Sequence, residues 1–222
     1  MLSGFYAAWR ELRSIVLGIA TASVLALLRR QWRLFLLSTS VLGGIAYFFR
    51  DPDREPPSTS AEWILAPADG KITDIELIHE PEYFRRSVRR ISLFLSVLDV
   101  HVQRAPYKGM VKFLYYQPGD FAPAFLSDTR SNESNLLVMS TPHGEIGIKQ
   151  IAGILARRIV CWPALGNELA RGERFGLIKF GSRVDLLLPA NTEILVSVGD
   201  QIYGGQTIVA HWPNVSSKLI AE

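Results

Sequence analysis

Gly181-Ser182 lies within Gly176–Pro189, where it separates two apolar runs and sets a hydroxyl directly after a glycine carbonyl. Glycine carries no Cβ, so that carbonyl can be approached closely and the backbone there can take strained dihedrals. The same pair is also an ordinary place for a strand to bend. Chemistry at this bond requires a base and an acid from elsewhere. Of the four histidines, His79, His101, His143 and His211, His101 follows an apolar run and stands two residues after Asp99. Strand alternation would put Asp99 and His101 on one face, where the carboxylate could fix the imidazole's tautomer and tune it toward neutrality. A structural His–Asp hydrogen bond would use the same pattern. Asp69 in Ala66-Pro67-Ala68-Asp69-Gly70 is either a turn carboxylate or a second acid. His143 falls in a Pro-His-Gly hairpin signal and should face solvent, while His79 and His211 have no evident partner.

The elements that must position these groups read as strands. Short apolar or alternating runs recur at Lys71–Leu77, Ile91–Leu98, Met110–Tyr116, Asn135–Met139, Glu145–Ile151, Phe175–Phe180, Val184–Leu188 and Glu193–Val198, bounded by Gly, Pro and Asp. That spacing predicts an α+β fold that is mainly β, a barrel or sandwich of short strands. Helices are expected at Glu80–Arg90 and Ala122–Asp128. The cadence of residues 194–208, strand, Gly-Asp turn, apolar step, Gly-Gly turn, strand, resembles the hammerhead of biotinyl and lipoyl carrier domains, without the lysine that carries their cofactor.

With 222 residues, 48% of them hydrophobic and 20% charged, the chain can bury one sizeable core. A net charge of only +3 argues against a nucleic-acid partner. A single cysteine, Cys161, excludes an intrachain disulfide and a multi-cysteine metal site, and its apolar neighbours suggest burial rather than reactivity. The first fifty residues differ in kind: two uncharged apolar runs, Ser14–Leu28 and Leu34–Phe49, flank Arg29-Arg30-Gln31-Trp32-Arg33. Each falls short of the roughly 20 residues that cross a bilayer untilted. A tilted hairpin or an interfacial anchor would both fit, and either predicts a membrane-anchoring segment over 1–50. Residues 51–60 read as a linker, and 61–222 as the soluble domain.

Taken in order, Pro67-Ala68-Asp69-Gly70, Asp99-Val100-His101-Val102-Gln103-Arg104-Ala105-Pro106, Asn132-Glu133, Ala156-Arg157-Arg158-Ile159 and Phe180-Gly181-Ser182 resemble the motifs of phosphatidylserine decarboxylases, in their short membrane-associated form. The resemblance runs over residues 48–212. It implies that Ser182 Oγ attacks the Gly181 carbonyl. The chain would then part into residues 1–181 and 182–222, which stay associated, and Ser182 would become a covalent pyruvoyl group. That ketone would serve as the electron sink for decarboxylating phosphatidylserine in the membrane, with no metal required. The implied catalytic residues are Ser182, His101 and Asp69, with Arg104, Arg183 and Asn132 as head-group contacts. Long members of the family carry a second histidine where this chain has Arg104, and an arginine cannot act as a base. The base roles therefore fall to His101, with Asp69 orienting or activating it. Localisation at the cell membrane with the domain on the cytoplasmic face follows, as does a common tendency to homo-oligomers. Two other readings keep the same residues: a non-enzymatic hammerhead adaptor on a membrane anchor, and a decarboxylase of another serine lipid such as archaetidylserine.

Overall fold

The computed structural model describes residues 3–57, 62–120, 132–153, 159–178 and 182–212, with side chains from residue 13. The expected helix at Ala122–Asp128, the Arg157-Arg158 pair, Phe121–Leu126, and Lys179, Phe180 and Gly181 lie outside the described residues. The chain divides into two compact units, Met1–Pro52 and Asp53–Glu222.

The first unit is a pair of helices, α1 (Ser3–Leu28) and α2 (Trp32–Phe48). They part at the arginine cluster, where Arg30 takes a left-handed φ of 56° that no helix can continue through. The Ser23 hydroxyl donates to the Ser38 hydroxyl at 2.7 Å and ties the pair together. Two helices cannot bury their own apolar surface, and Leu17, Leu28, Leu34, Leu36 and Leu37 all remain exposed. Among the described residues no helix is long and apolar enough to cross a membrane.

The second unit is mainly β, as expected. Its strands are β1 (Trp63–Leu65), β2 (Gly70–Glu80), β3 (Arg86–Leu95), β4 (Val102–Arg104), β5 (Gly109–Gln117), β6 (Ser134–Thr141), β7 (Gly144–Ile151), β8 (Ile159–Cys161), β9 (Glu168–Leu169), β10 (Arg174–Ile178), β11 (Ser182–Pro189), β12 (Glu193–Ile194), β13 (Gln201–Ile202) and β14 (Ile208–His211). An eight-stranded sheet has the order β13-β2-β3-β11-β7-β6-β5-β9, and two three-stranded sheets run β4-β10-β8 and β1-β14-β12. Their pairings are antiparallel.

Strand β11 explains its own sequence. It lies between β3 and β7, with Val184, Leu186 and Leu188 in the main core beside Ile91, Leu93 and Phe175, while Leu187 faces a second cluster with Val88, Leu136 and Val138. A strand covered on both faces needs the uninterrupted run Leu186-Leu187-Leu188 rather than alternation. Each such fully buried side chain contributes about 1.5–3 kcal/mol.

Three expectations need correction. Glu80–Arg90 is not a helix: the Glu80 carboxylate accepts from the N–H groups of Glu82, Tyr83 and Phe84 at 3.0, 2.9 and 2.8 Å and closes a turn between β2 and β3. The Ile91–Leu98 strand stops at Leu95 because Ser96–Asp99 forms a turn of its own. Of Glu193–Val198 only Glu193–Ile194 is strand. His143 does sit exposed in the β6–β7 turn, and its ring lies 5.6 Å from that of Trp212. His211 finds a partner the sequence did not suggest, Glu62 at 3.1 Å.

Candidate active site

Ser182 opens β11 and pairs with Leu95, the last residue of β3. On the other side of β3, β2 begins at Gly70, where a Cβ would lie 2.5 Å from the Phe94 carbonyl oxygen. Only glycine fits there, and its φ of 149° is a further reason. Asp69-Gly70, the end of β3 and Ser182 therefore lie across three neighbouring strands at one end of the sheet, about 10 Å from the first strand to the third. The Ser182 hydroxyl is fully buried and has no hydrogen-bond partner among the described residues. Leaving a buried hydroxyl unsatisfied costs about 1–3 kcal/mol, a cost that fold stability alone does not explain.

His101 arrives at the same end by a different route than strand alternation. Asp99 lies in the turn after β3. Its carboxylate accepts from Ser96 N–H at 2.8 Å and from Gln201 Nε2 at 3.2 Å. The Asp99 carbonyl oxygen, not its carboxylate, meets His101 Nδ1 at 2.9 Å. A carbonyl can only accept, so Nδ1 carries a proton, and whenever the ring is neutral its lone pair is on Nε2, which is buried. The expected shared face is thus replaced by a backbone contact that fixes the same tautomer. The His101 carbonyl accepts from Ile178 N–H at 3.3 Å, which binds this turn to the residue that ends β10, four positions before Ser182.

Behind His101 runs a chain of buried amides. Gln103 Nε2 donates to the His101 carbonyl at 2.8 Å, Gln150 Nε2 to Gln103 Oε1 at 2.9 Å, and Asn135 Nδ2 to Gln150 Oε1 at 2.9 Å. These three residues were missed from the sequence. The available signal was an amide in each of three strands that are otherwise apolar on the covered face.

Asp69 is held from the stretch expected to be a linker. Arg54 sets both guanidinium Nη atoms on both Asp69 oxygens, with Nη2 2.7 Å from Oδ2, and Gly204 N–H donates to Oδ1 at 2.8 Å. The expected head-group residues are each engaged with protein groups. Arg104 is buried, with Nη1 donating to the Gly172 carbonyl at 3.2 Å and its N–H to Pro67 at 2.8 Å. Arg183 forks onto the Asp185 carboxylate at 2.6 and 3.0 Å and reaches Ser92 Oγ at 2.9 Å. Asn132 Nδ2 donates to the Ala152 carbonyl at 2.8 Å.

Among the described residues no group of three His, Cys, Asp or Glu side chains could hold a metal ion. Cys161 is no second nucleophile: burial pushes its thiol up to about 11, against a smaller downward pull from the Asn135 side chain. Its alkylation by iodoacetamide at pH 8 is expected to run about 100-fold slower than that of an ordinary thiol and to reach the normal rate only on unfolding. Mass spectrometry of native and denatured chain reads this directly.

A serine hydroxyl buried at the head of a central strand and unpaired among the described residues, with a tautomer-fixed imidazole tied to the strand before it, describes a mainly-β protein with a candidate reactive site at one end of its sheet. Residues 43–210 match the family described as phosphatidylserine decarboxylase. A relative from Methanococcoides burtonii named as an archaetidylserine decarboxylase proenzyme is 39% identical over 194 residues, which cover 87% of this chain and 88% of that protein. The chain belongs to the phosphatidylserine decarboxylase family, lyases of phospholipid biosynthesis made as proenzymes.

Proposed function

We propose that this proenzyme cleaves itself between Gly181 and Ser182 and then decarboxylates phosphatidylserine to phosphatidylethanolamine. The observation that carries the reading is the Ser182 hydroxyl, fully buried and unsatisfied among the described residues at the start of the central strand. In the first step His101 Nε2 takes the hydroxyl proton as Oγ adds to the Gly181 carbonyl, and the peptide bond gives way to an ester. Removal of the residue-182 α-proton then breaks the Cβ–Oγ bond, releasing the Gly181 carboxylate. Hydrolysis with loss of ammonia leaves a pyruvoyl group at the head of β11. General base help of this kind is worth about 10²–10⁴ in rate.

The residues suit such a group. It would begin a strand anchored through Leu95, at the sheet end shared by Asp69 and the His101 turn. When present, the pyruvoyl ketone supplies an acceptor for the electrons left as carbon dioxide departs. His101 is then the residue placed to return a proton to the substrate carbon, and the burial of this end keeps bulk water from competing.

Cleavage would not disperse the fragments. Residues 182–222 supply β11, paired with β3 and β7, as well as β13 on β2 and β14 on β1. The pieces of 181 and 41 residues are expected to elute together from a native sizing column and to part only in denaturant. Separation without denaturant would refute this arrangement.

The strand–turn–strand path through β12, β13 and β14, with its glycine turns at 199 and 204–205, supports a hammerhead reading of the C-terminal part. The helical pair, apolar on its outside and arginine-rich at its turn, supports an interfacial anchor that keeps the domain at the cytoplasmic membrane surface, where a lipid substrate resides. A second substrate, archaetidylserine, is favoured by the name of the 39% identical relative. Turnover of ester- and ether-linked serine lipids in matched vesicles separates the two. A chain that stays intact in membranes and releases carbon dioxide from neither would return the protein to the adaptor reading.

A further inference from the structure

We propose that Arg54 is a positioning residue of the self-cleavage site, setting the Asp69 carboxylate through its guanidinium, so that residues 53–57 are part of the site rather than a spacer. This rests on the reading above, in which Asp69 assists cleavage at Ser182.

The contact is a closed ring. Arg54 Nη2 lies 2.7 Å from Asp69 Oδ2, and Nη1 bonds Asp69 Oδ1. Nη1 also donates to the Gly204 carbonyl at 2.8 Å, while the Gly204 N–H returns to Asp69 Oδ1 at 2.8 Å. A two-point contact between two planar groups fixes the rotation of the carboxylate as well as its place, which a lysine cannot do. Gly204 is pressed so closely on Ala68 that a Cβ would lie 2.9 Å from the Ala68 Cα, so the third member of the ring has no room to shift.

Arg54 is itself held by its neighbours. Asp53 accepts from Arg174 Nη2 at 2.8 Å, and the Pro57 carbonyl accepts from Arg171 Nη2 at 3.0 Å. Pro56 packs against Gly172, where a Cβ would come within 2.8 Å of its ring. These contacts pin residues 53–57 to the domain on both sides of the arginine. The Arg54 and Asp69 side chains are only 8% and 5% exposed. A buried ion pair is weak support for stability, because apolar residues of the same size often serve as well. What the pair does supply is orientation, and it supplies it to a carboxylate at the sheet end where Ser182 begins its strand.

The test follows conversion of the full-length chain in membranes to its two fragments, on gels over time. Arg54→Ala is expected to slow conversion about 100-fold, the scale of a misplaced catalytic group. Added guanidinium at tens of millimolar is expected to recover much of that rate, which a loss of folding would not permit. Arg54→Lys, which keeps the charge and loses the two-point contact, should be slowed about tenfold. A wild-type rate in either variant overturns the proposal, and so does a slowed Arg54→Ala that guanidinium does not raise. If Arg54→Ala fails to fold, Arg54→Lys alone decides by the same criterion. Failure of the underlying reading looks different: the wild-type chain would stay intact, or Asp69→Asn would cleave at the wild-type rate. A slow Asp69→Asn beside a fast Arg54→Ala sinks only the role of Arg54.

Discussion

Ser182→Ala is expected to leave a single 222-residue chain where the wild type runs as two, with decarboxylation abolished rather than reduced. The substitution removes one oxygen, and that oxygen is both the nucleophile and the leaving atom whose departure from Cβ would let residue 182 become the carbonyl on which turnover would depend. It accepts and donates no hydrogen bond among the described residues, so its loss breaks no contact there. Removing an unsatisfied buried hydroxyl relieves a cost of about 1–3 kcal/mol. The melting temperature should therefore hold or rise while processing falls to nothing. Denaturing gels read the first effect, and hydrazine labelling of the 41-residue fragment, present in the wild type alone, reads the second. An alanine chain that still divides at 181–182 would refute the serine mechanism outright.

His101→Ala should slow self-cleavage by about 10²–10⁴, the usual worth of a general base. Here the alternatives are few. Arg104 occupies the family's other histidine position but stays protonated and is already bonded to Gly172. The Asp99 carboxylate is engaged by Ser96 and Gln201. The substitution also removes the Nδ1–H bond to the Asp99 carbonyl, so folding must be checked by thermal melt beside the time course. His101→Gln, which can keep a donor near that carbonyl but offers no imidazole base, separates the two effects: it should restore stability and not rate. Wild-type cleavage by a folded His101→Ala chain would remove His101 from the mechanism.

Much of this protein could be read along the chain because its signals are local. Apolar runs bounded by Gly, Pro and Asp located most strands of the second unit, since a strand's burial pattern is written in its own residues. The order of five short motifs led to the family, while the cysteine expected to be buried from its neighbours is half-buried. Errors fell where a polar side chain overrode a local tendency. Glu80 captures three backbone N–H groups and makes a turn of a stretch that looked helical. The Ser96–Asp99 turn ends β3 early and gives His101 a carbonyl where a carboxylate was expected.

Residue type and immediate neighbours were enough to mark the candidates, Ser182 after Gly181, His101 and Asp69, because those signals are local. Only the tertiary structure decided what holds them. Strand β11 enters between β3 and β7, where the pairs Ser182–Leu95 and Arg183–Ile151 join residues 87 and 32 positions apart, so no short window of sequence contains them. Arg54 meets Asp69 fifteen residues on, and Gly204 joins them from 135 residues beyond Asp69. The amides of Gln103, Gln150 and Asn135 converge from three strands. Contacts such as these depend on register between distant strands, and register is set by how whole faces pack.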